Sequence, residues 1–391
     1  MWALVFMVLT PFLSYALSLE SALELAVGRS YVLKALEAEK LALEGKLLTH
    51  RESLNPSFAF SLGNLGTSKE SFSRSPLYNI SYSQPLPYPE MFNKARQVRA
   101  FELKSLEERM QVERARLMGE VYRAFFTALY YKELLSLMQE ELKLQEELKT
   151  FVERSFRLGE ASRLELLRAE RDYFLLLSEL ELIRPLYHTA LKELSALAGE
   201  EVKEIEGSLR TLRPFVPLEV EALPHIRQYE RALEVVNRSL ELENILARPR
   251  VRLELLTEKV SDREYGVRVG LSSDLPLFYA RQGEKLMLIS HRETLTATKS
   301  AQLLDIRSKL DGIKARYSEL ERQLKALEDS IIPKAQEELN LALKSYRLRV
   351  IGLLEFSEVR RSYYGLLKKR LELLKNLHEE FAKYVVLGGG L

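Results

Sequence analysis

The chain has no cysteine among its 391 residues. That excludes disulfides, thiolate metal sites, cysteine nucleophiles and lipidated cysteine anchors. It has no excess of one charge either. The net charge is +2, whereas a nucleic-acid surface needs a clear basic surplus to neutralise phosphates. Histidine is limited to His50, His188, His225, His291 and His378, scattered and without the HExxH spacing of a zinc site. There is no GxxxxGK[ST] loop and no G-x-S-x-G elbow, so phosphate-loop and serine-hydrolase chemistry have no footing. Glycine and proline are sparse, at 17 and 13. Beyond Tyr15, no stretch reaches the ~18 apolar residues that a membrane-spanning helix needs. These absences point to a protein that is not an enzyme and uses no cofactor or metal.

What is present is a sequence that repeats itself. Ser155-Phe156-Arg157-Leu158-Gly159-Glu160-Ala161-Ser162-Arg163-Leu164-Glu165 returns without a gap as Ser345-Tyr346-Arg347-Leu348-Arg349-Val350-Ile351-Gly352-Leu353-Leu354-Glu355. Arg171 and Tyr173 likewise meet Arg361 and Tyr363. A long internal repeat means two copies of one structural unit. The composition, 29% charged and 46% hydrophobic, suits long helices and coiled coils.

Residues 1–18 read as a secretory signal peptide. Trp2 to Tyr15 is apolar, and Ala16 and Ser18 are small residues at the two positions a signal peptidase inspects. The first repeat covers 19–198. Its helical pattern from Leu19 to about Leu54 stops at Asn55-Pro56, because proline disfavours the α region for the residue before it. A hairpin over 56–87 follows, with Phe58, Phe60 and Leu62, then Tyr78, Ile80 and Tyr82, alternating with small and polar residues. Between its strands, Asn64 to Ser75 is a polar loop. From Glu90 to about Arg154 there is no proline and one glycine, Gly119. A helix of that length spans roughly 95 Å at 1.5 Å per residue. A return helix reaches Ala198, with Pro185 as a potential kink.

Residues 199–224 connect to the second repeat, 225–386. Its hairpin spans 250–275, with Val251, Leu253 and Leu255 against Arg250, Arg252 and Glu254, and Val267, Val269 and Leu271 against Arg268, Gly270 and Ser272. The turn falls at Ser261-Asp262-Arg263. A long helix is expected from about Ala280 to Leu348. Along it Leu303, Ile306, Leu310, Ile313, Tyr317, Leu320, Leu324 and Leu327 are spaced alternately 3 and 4 residues apart. That heptad winds a left-handed supercoil with a neighbour. Pro333 should kink this helix or interrupt its hydrogen-bond ladder. A return helix covers 353–386, and 387–391 forms a flexible tail.

Two strands per repeat give four per chain. A four-stranded sheet with one apolar and one polar face cannot close on itself, and open edges are not tolerated in lipid. Closure therefore requires other copies, and three would give a twelve-stranded barrel with a water-filled bore. Arg250, Arg252 and Arg268 suit its lumen.

Over nearly its whole mature length the chain resembles the TolC family of outer-membrane efflux proteins. The resemblance rests on the tandem repeat, on the proline-opened hairpin between helices in each copy, and on the ordered turn motifs around Phe156, Gly159 and Leu164 to Ala169, and around Tyr346, Leu354 and Glu355. It implies a mostly α fold with a small β part, in which a coiled-coil α-helical barrel continues a transmembrane β-barrel built by a homotrimer. It further implies a passive exit duct in the outer membrane, in outer-membrane lipid, with a long periplasmic extension. The duct would dock on a periplasmic adaptor (membrane fusion) protein and an inner-membrane pump.

By the same resemblance, Glu355 and Glu358, followed by Tyr363-Tyr364, match the acidic constriction ring, with Glu where the family has Asp. The alternative is two solvated helix-surface glutamates. Glu165 and Tyr346 fall on the family's gate lock. The family's arginine position holds Ile351 here, so Arg347 or Arg349 would supply the positive charge. Gly159 and Gly352 would permit tight turns at the tip, and with Leu158 they mark the adaptor-docking surface. The competing function is a periplasmic coiled-coil adaptor or scaffold that never enters the membrane.

Overall fold

The computed structural model describes residues 16–49, 55–62, 78–261 and 264–390. The hydrophobic leader through Tyr15, His50, the Asn64–Ser75 loop and the turn residues Asp262 and Arg263 lie outside the described residues. The described chain runs α1 (Leu19–Arg29), α2 (Tyr31–Thr49), β1 (Ser57–Leu62), β2 (Tyr78–Leu86), α3 (Pro89–Arg157) and α4 (Arg163–Ala198). It then repeats the plan as α5 (Pro224–Leu246), β3 (Arg250–Ser261), β4 (Glu264–Asp274), α6 (Gln282–Ala326), a π turn (Leu327–Ile331), α7 (Ile332–Arg347) and α8 (Leu353–Val386).

The long unbroken stretch of the sequence is one helix, α3, of 69 residues. Two expected helices are interrupted. The first helix breaks at Ser30, whose backbone turns to ψ 118° while its hydroxyl accepts the N–H of Leu33 at 3.3 Å. A serine side chain that offers the backbone another partner competes with the helical ladder in this way.

The second interruption is the π turn ahead of Pro333. Ile306, Leu310, Ile313, Tyr317, Leu324 and Leu327 are buried, as the heptad requires. The same spacing carried past Leu327 would bury Ile331 and Leu341. Both are exposed, and the buried set shifts by one residue to Ala335, Leu339, Ala342 and Tyr346. A π turn holds one residue more than an α turn, which accounts for the shift. The N–H of Ile332 accordingly reaches back to the carbonyl of Leu327.

The chain divides into two units. One comprises residues 35–111 and 220–304. It carries an antiparallel sheet in the order β1-β2-β3-β4. Residues opposite one another in a ladder share a face. One face therefore shows Phe58, Tyr82, Leu255 and Val269 in one row and Phe60, Ile80, Thr257 and Val267 in the next. The other face shows Ser57, Ser83, Glu254 and Gly270 in register. There Arg252 pairs with Asp274 at 3.0 Å, and the Ser272 hydroxyl donates to Glu254 at 2.5 Å. The alternation read from sequence holds through most of the sheet; Leu256, opposite Ser81 and Arg268, lies on the polar face, and Gln84, Thr257 and Ser273 lie on the apolar one. On the apolar face Phe58 is 70% and Val269 66% exposed. Among the described residues, β1 and β4 each have one free edge.

The other unit comprises residues 112–219 and 305–391 with the N-terminal stretch through 34, and it is helical. Its core is aromatic: Tyr122, Phe125, Phe356, Phe381 and Tyr384 are fully buried. Gly119 sits where α3 meets α8. A Cβ there would stand 2.9 Å from the carbonyl oxygen of Ala382, too close for any other residue. Residues 199–219, expected only to connect the repeats, form a strap. Ile205 and Leu209 are fully buried, and the Tyr384 hydroxyl donates to the carbonyl of Val216 at 2.6 Å. No described helix is long and apolar enough to cross a membrane.

Candidate functional site

The two repeats meet at the turns that join α3 to α4 and α7 to α8. Their backbones are the same, 190 residues apart (345 − 155). In the first, Gly159 N–H donates to Phe156 O at 2.9 Å and Glu160 N–H to Ser155 O at 2.8 Å. In the second, Arg349 N–H donates to Tyr346 O at 3.0 Å and Val350 N–H to Ser345 O at 2.8 Å. Each turn ends its helix with one left-handed residue. In the first turn this is Gly159, at φ 75°. In the second it is Arg349, at φ 62°, and not Gly352. Gly352 is extended, at φ −83° and ψ 167°, and occupies the N-cap position of α8, as Ser162 does in α4, but without a side-chain cap. The expectation that Gly352 permits a tight turn is corrected: the conformation that favours glycine is imposed on an arginine.

The carboxylates found in sequence serve these caps. Glu165 accepts the N–H of Ser162 at 2.8 Å, and Ser162 Oγ accepts the N–H of Glu165 at 3.2 Å. Its repeat partner Glu355 accepts the N–H of Gly352 at 3.3 Å. Acidic side chains on the first turn also complement the helix dipole. Glu165 makes no described hydrogen bond to Tyr346. Tyr346 is buried, stacks on Phe356 with centroids 5.4 Å apart, and meets the edge of Phe151. Burial first, then the charge of Glu165, pushes its hydroxyl up to about 12. Tyr346 is thus a neutral packed aromatic at pH 7. Ile351, at the expected arginine position, packs against the same cluster of Leu148, Val152, Ala169, Leu353 and Phe356. Its repeat partner Ala161 does likewise.

The positive charge of the tip is Arg349, which pairs with Glu160 across the two turns. Arg347 is exposed at the end of α7 and makes no such pair among the described residues. Sequence reasoning missed Glu160, although a carboxylate beside the turn glycine was visible. It also missed the ion cluster one level above. Asp172 is buried and takes Arg171 on one carboxylate oxygen and Arg361 on the other, each at 2.9 Å. The repeat signalled this, since Arg171 and Arg361 are equivalent positions converging on one acid. Burial alone would push the Asp172 carboxyl up, but the hydrogen bonds from Arg171 and Arg361 outweigh it and hold it below the usual range. Beside it the buried Arg360 contacts Gln145, whose Nε2 donates to the carbonyl of Ala169 at 3.2 Å. Together these bonds tie α8 to α3 and α4.

Glu355 and Glu358 are exposed, three residues apart on one side of α8. Tyr363 contacts Gln336 of α7, and Tyr364 is buried against Tyr363 edge to face. The turns also expose apolar side chains: Leu158 and its repeat partner Leu348 are 72% and 76% exposed, and Leu164 and Leu354 are exposed beside them. Among the described residues no group of carboxylates and histidines is arranged to hold a metal.

The model of the outer membrane efflux protein family matches residues 22–200. No curated protein sequence matches the chain. Solved structures are similar over nearly its full length. One, described by conformational changes accompanying folding and transmembrane channel formation in CusC, has a TM-score of 0.80 at 16% identity and covers 95% of this chain and 92% of that one. The outer membrane protein VceC of Vibrio cholerae gives 0.76 at 14%, covering 95% and 96%. The open state of the MtrE outer membrane channel of Neisseria gonorrhoeae gives 0.75 at 20%, covering 95% and 89%. Identities this low establish the fold, which is the one these outer-membrane proteins share. Over nearly its whole length the chain thus has the fold of outer-membrane channels, and residues 22–200 match the outer membrane efflux protein model.

Proposed function

We propose that three copies of this chain form a passive duct through the outer membrane, gated at the helical tips. The sheet carries this reading. Its apolar face is continuous over four strands and exposed, and its two edge strands are open. Lipid accepts the first feature and forbids the second, so further copies must close the sheet. The polar face, with Arg252, Glu254, Arg268 and Asp274, then lines a wet bore. The duct performs no chemistry, and a periplasmic adaptor and an inner-membrane pump supply direction and energy. The apolar tip around Leu158 and Leu348 is the adaptor-docking surface.

At the tip, Glu355 and Glu358 supply two carboxylates per copy, six in the trimer. A ring of that kind attracts cations at a narrow point. Glu355 accepts the Gly352 N–H with one oxygen, so the ring is built into the turn between α7 and α8. The lock itself is the Arg349–Glu160 pair at the turn and the Arg171–Asp172–Arg361 cluster above it.

The test is single-channel recording of the purified protein in a planar bilayer, with Glu355→Gln/Glu358→Gln as comparison. Steady cation-selective currents, blocked by multivalent cations in the parent and not in the variant, are expected. Currents and block unaltered by the variant would remove the ring and keep the duct. Protein that stays soluble without detergent and never inserts would remove the duct.

A further inference from the structure

We infer that the export leader is removed between Ala16 and Leu17, two residues before the position that the sequence suggests. The inference rests on the outer-membrane reading, which requires export. Leu17 and Ser18 are built into the fold. The Leu17 N–H donates to Glu204 O at 2.9 Å, and its carbonyl accepts Glu206 N–H at 3.1 Å, in a two-sided bridge to the strap around the fully buried Ile205. Ser18 caps α1. Its hydroxyl accepts the N–H of Ser21 at 3.3 Å, and its carbonyl accepts the N–H of Ala22 at 3.0 Å.

A cut after Ser18 would strip away all four bonds. It would also leave the new α-ammonium on Leu19, the first residue of α1. A positive charge there meets the positive end of the helix dipole. A cut after Ala16 keeps every bond. The ammonium then falls on Leu17, where its N–H groups still reach the carbonyl of Glu204. The residues that a signal peptidase inspects become Ser14 and Ala16, both small, so the sequence permits this site as readily as the other.

The test is N-terminal sequencing of the full-length protein recovered from the outer membrane of an expressing bacterium. The expected sequence is Leu-Ser-Leu-Glu, beginning at Leu17. A start at Leu19 or beyond overturns the site and keeps the leader. A retained Met1 overturns both. Two variants separate the sites independently of folding. Ser14→Leu blocks the inner site, so the start should move to Leu19 or the heavier precursor should accumulate. Ser18→Leu blocks only the outer one, so the protein should be trimmed as in the parent. The opposite pattern refutes the inference.

Discussion

Arg349 carries a backbone conformation that costs a residue with a Cβ about 1–2 kcal/mol. The exposed pair it makes with Glu160 returns roughly 0.2–1 kcal/mol. The balance is unfavourable, so stability does not explain the residue, and strain kept at the proposed gate is better read as function. Arg349→Gly should therefore leave the thermal midpoint unchanged or higher while raising the open probability in a bilayer. A lower midpoint with unchanged gating would overturn the latch. Asp172→Asn is the opposite case, because it takes the charge from a buried group that serves two arginines. A loss of about 1–3 kcal/mol is expected, together with a more open tip. The Asp172 carboxyl is depressed in the folded chain, so its contribution is present above the unfolded pKa and fades as pH falls through the folded one.

His378 gives a second pH dependence. It lies between Tyr122 and the carbonyl of Leu209, each at 2.8 Å. The Leu209 carbonyl can only accept, so Nε2 carries the proton and Nδ1 accepts from the Tyr122 hydroxyl. Burial lowers its pKa to about 4, against a weaker opposing pull from the Leu209 carbonyl. The unfolded chain takes up that proton first. Stability should fall between about pH 6.5 and pH 4, by roughly 3 kcal/mol in all, and then level off. Midpoints recorded in detergent across that range, with His378→Gln as the flat control, check this. None of these partners could be named from sequence. Glu165, Tyr346 and Ile351 occupied recognisable positions, but whether a carboxylate caps a helix or pairs with an arginine depends on contacts made 190 residues away.

At the scale of elements, much more was legible. Alternation with a period of two located all four strands and both faces, because a slip of one residue would turn the apolar set onto the polar face. The heptad identified the buried side of α6 down to Leu327. What followed was hidden, since a π turn leaves no composition signal beyond the nearby proline. Once seen, it makes a prediction. Deleting Asp329 together with Pro333→Ala should convert the π turn to an ordinary α turn, with Ala335, Leu339, Ala342 and Tyr346 still facing the core. Deleting Ala315 instead rotates everything beyond it by about 100° and should prevent folding of the tip. Thermal melts and limited proteolysis of the two deletions distinguish them. Equal damage by both would refute the rephasing.

For the whole molecule, the repeat and the open sheet determined the fold, while the number of copies rests on the geometry of closure. If the apolar face meets lipid, Val269→Arg should cost about 2–4 kcal/mol in each copy near the bilayer midplane and abolish insertion. Ser272→Arg, on the other face, should insert normally and change only the ion selectivity. Membrane fractionation and bilayer recording read both. The matched turns at the tip also bear on stoichiometry. A partner that recognises their shared backbone meets six interchangeable seats on the proposed trimer. One that recognises charge distinguishes Gly159-Glu160 from Arg349-Val350 and meets only three. Mass measurement of the isolated assembly would therefore show which property of the turn is being read, because a six-to-three complex follows from shape and a three-to-three complex from charge.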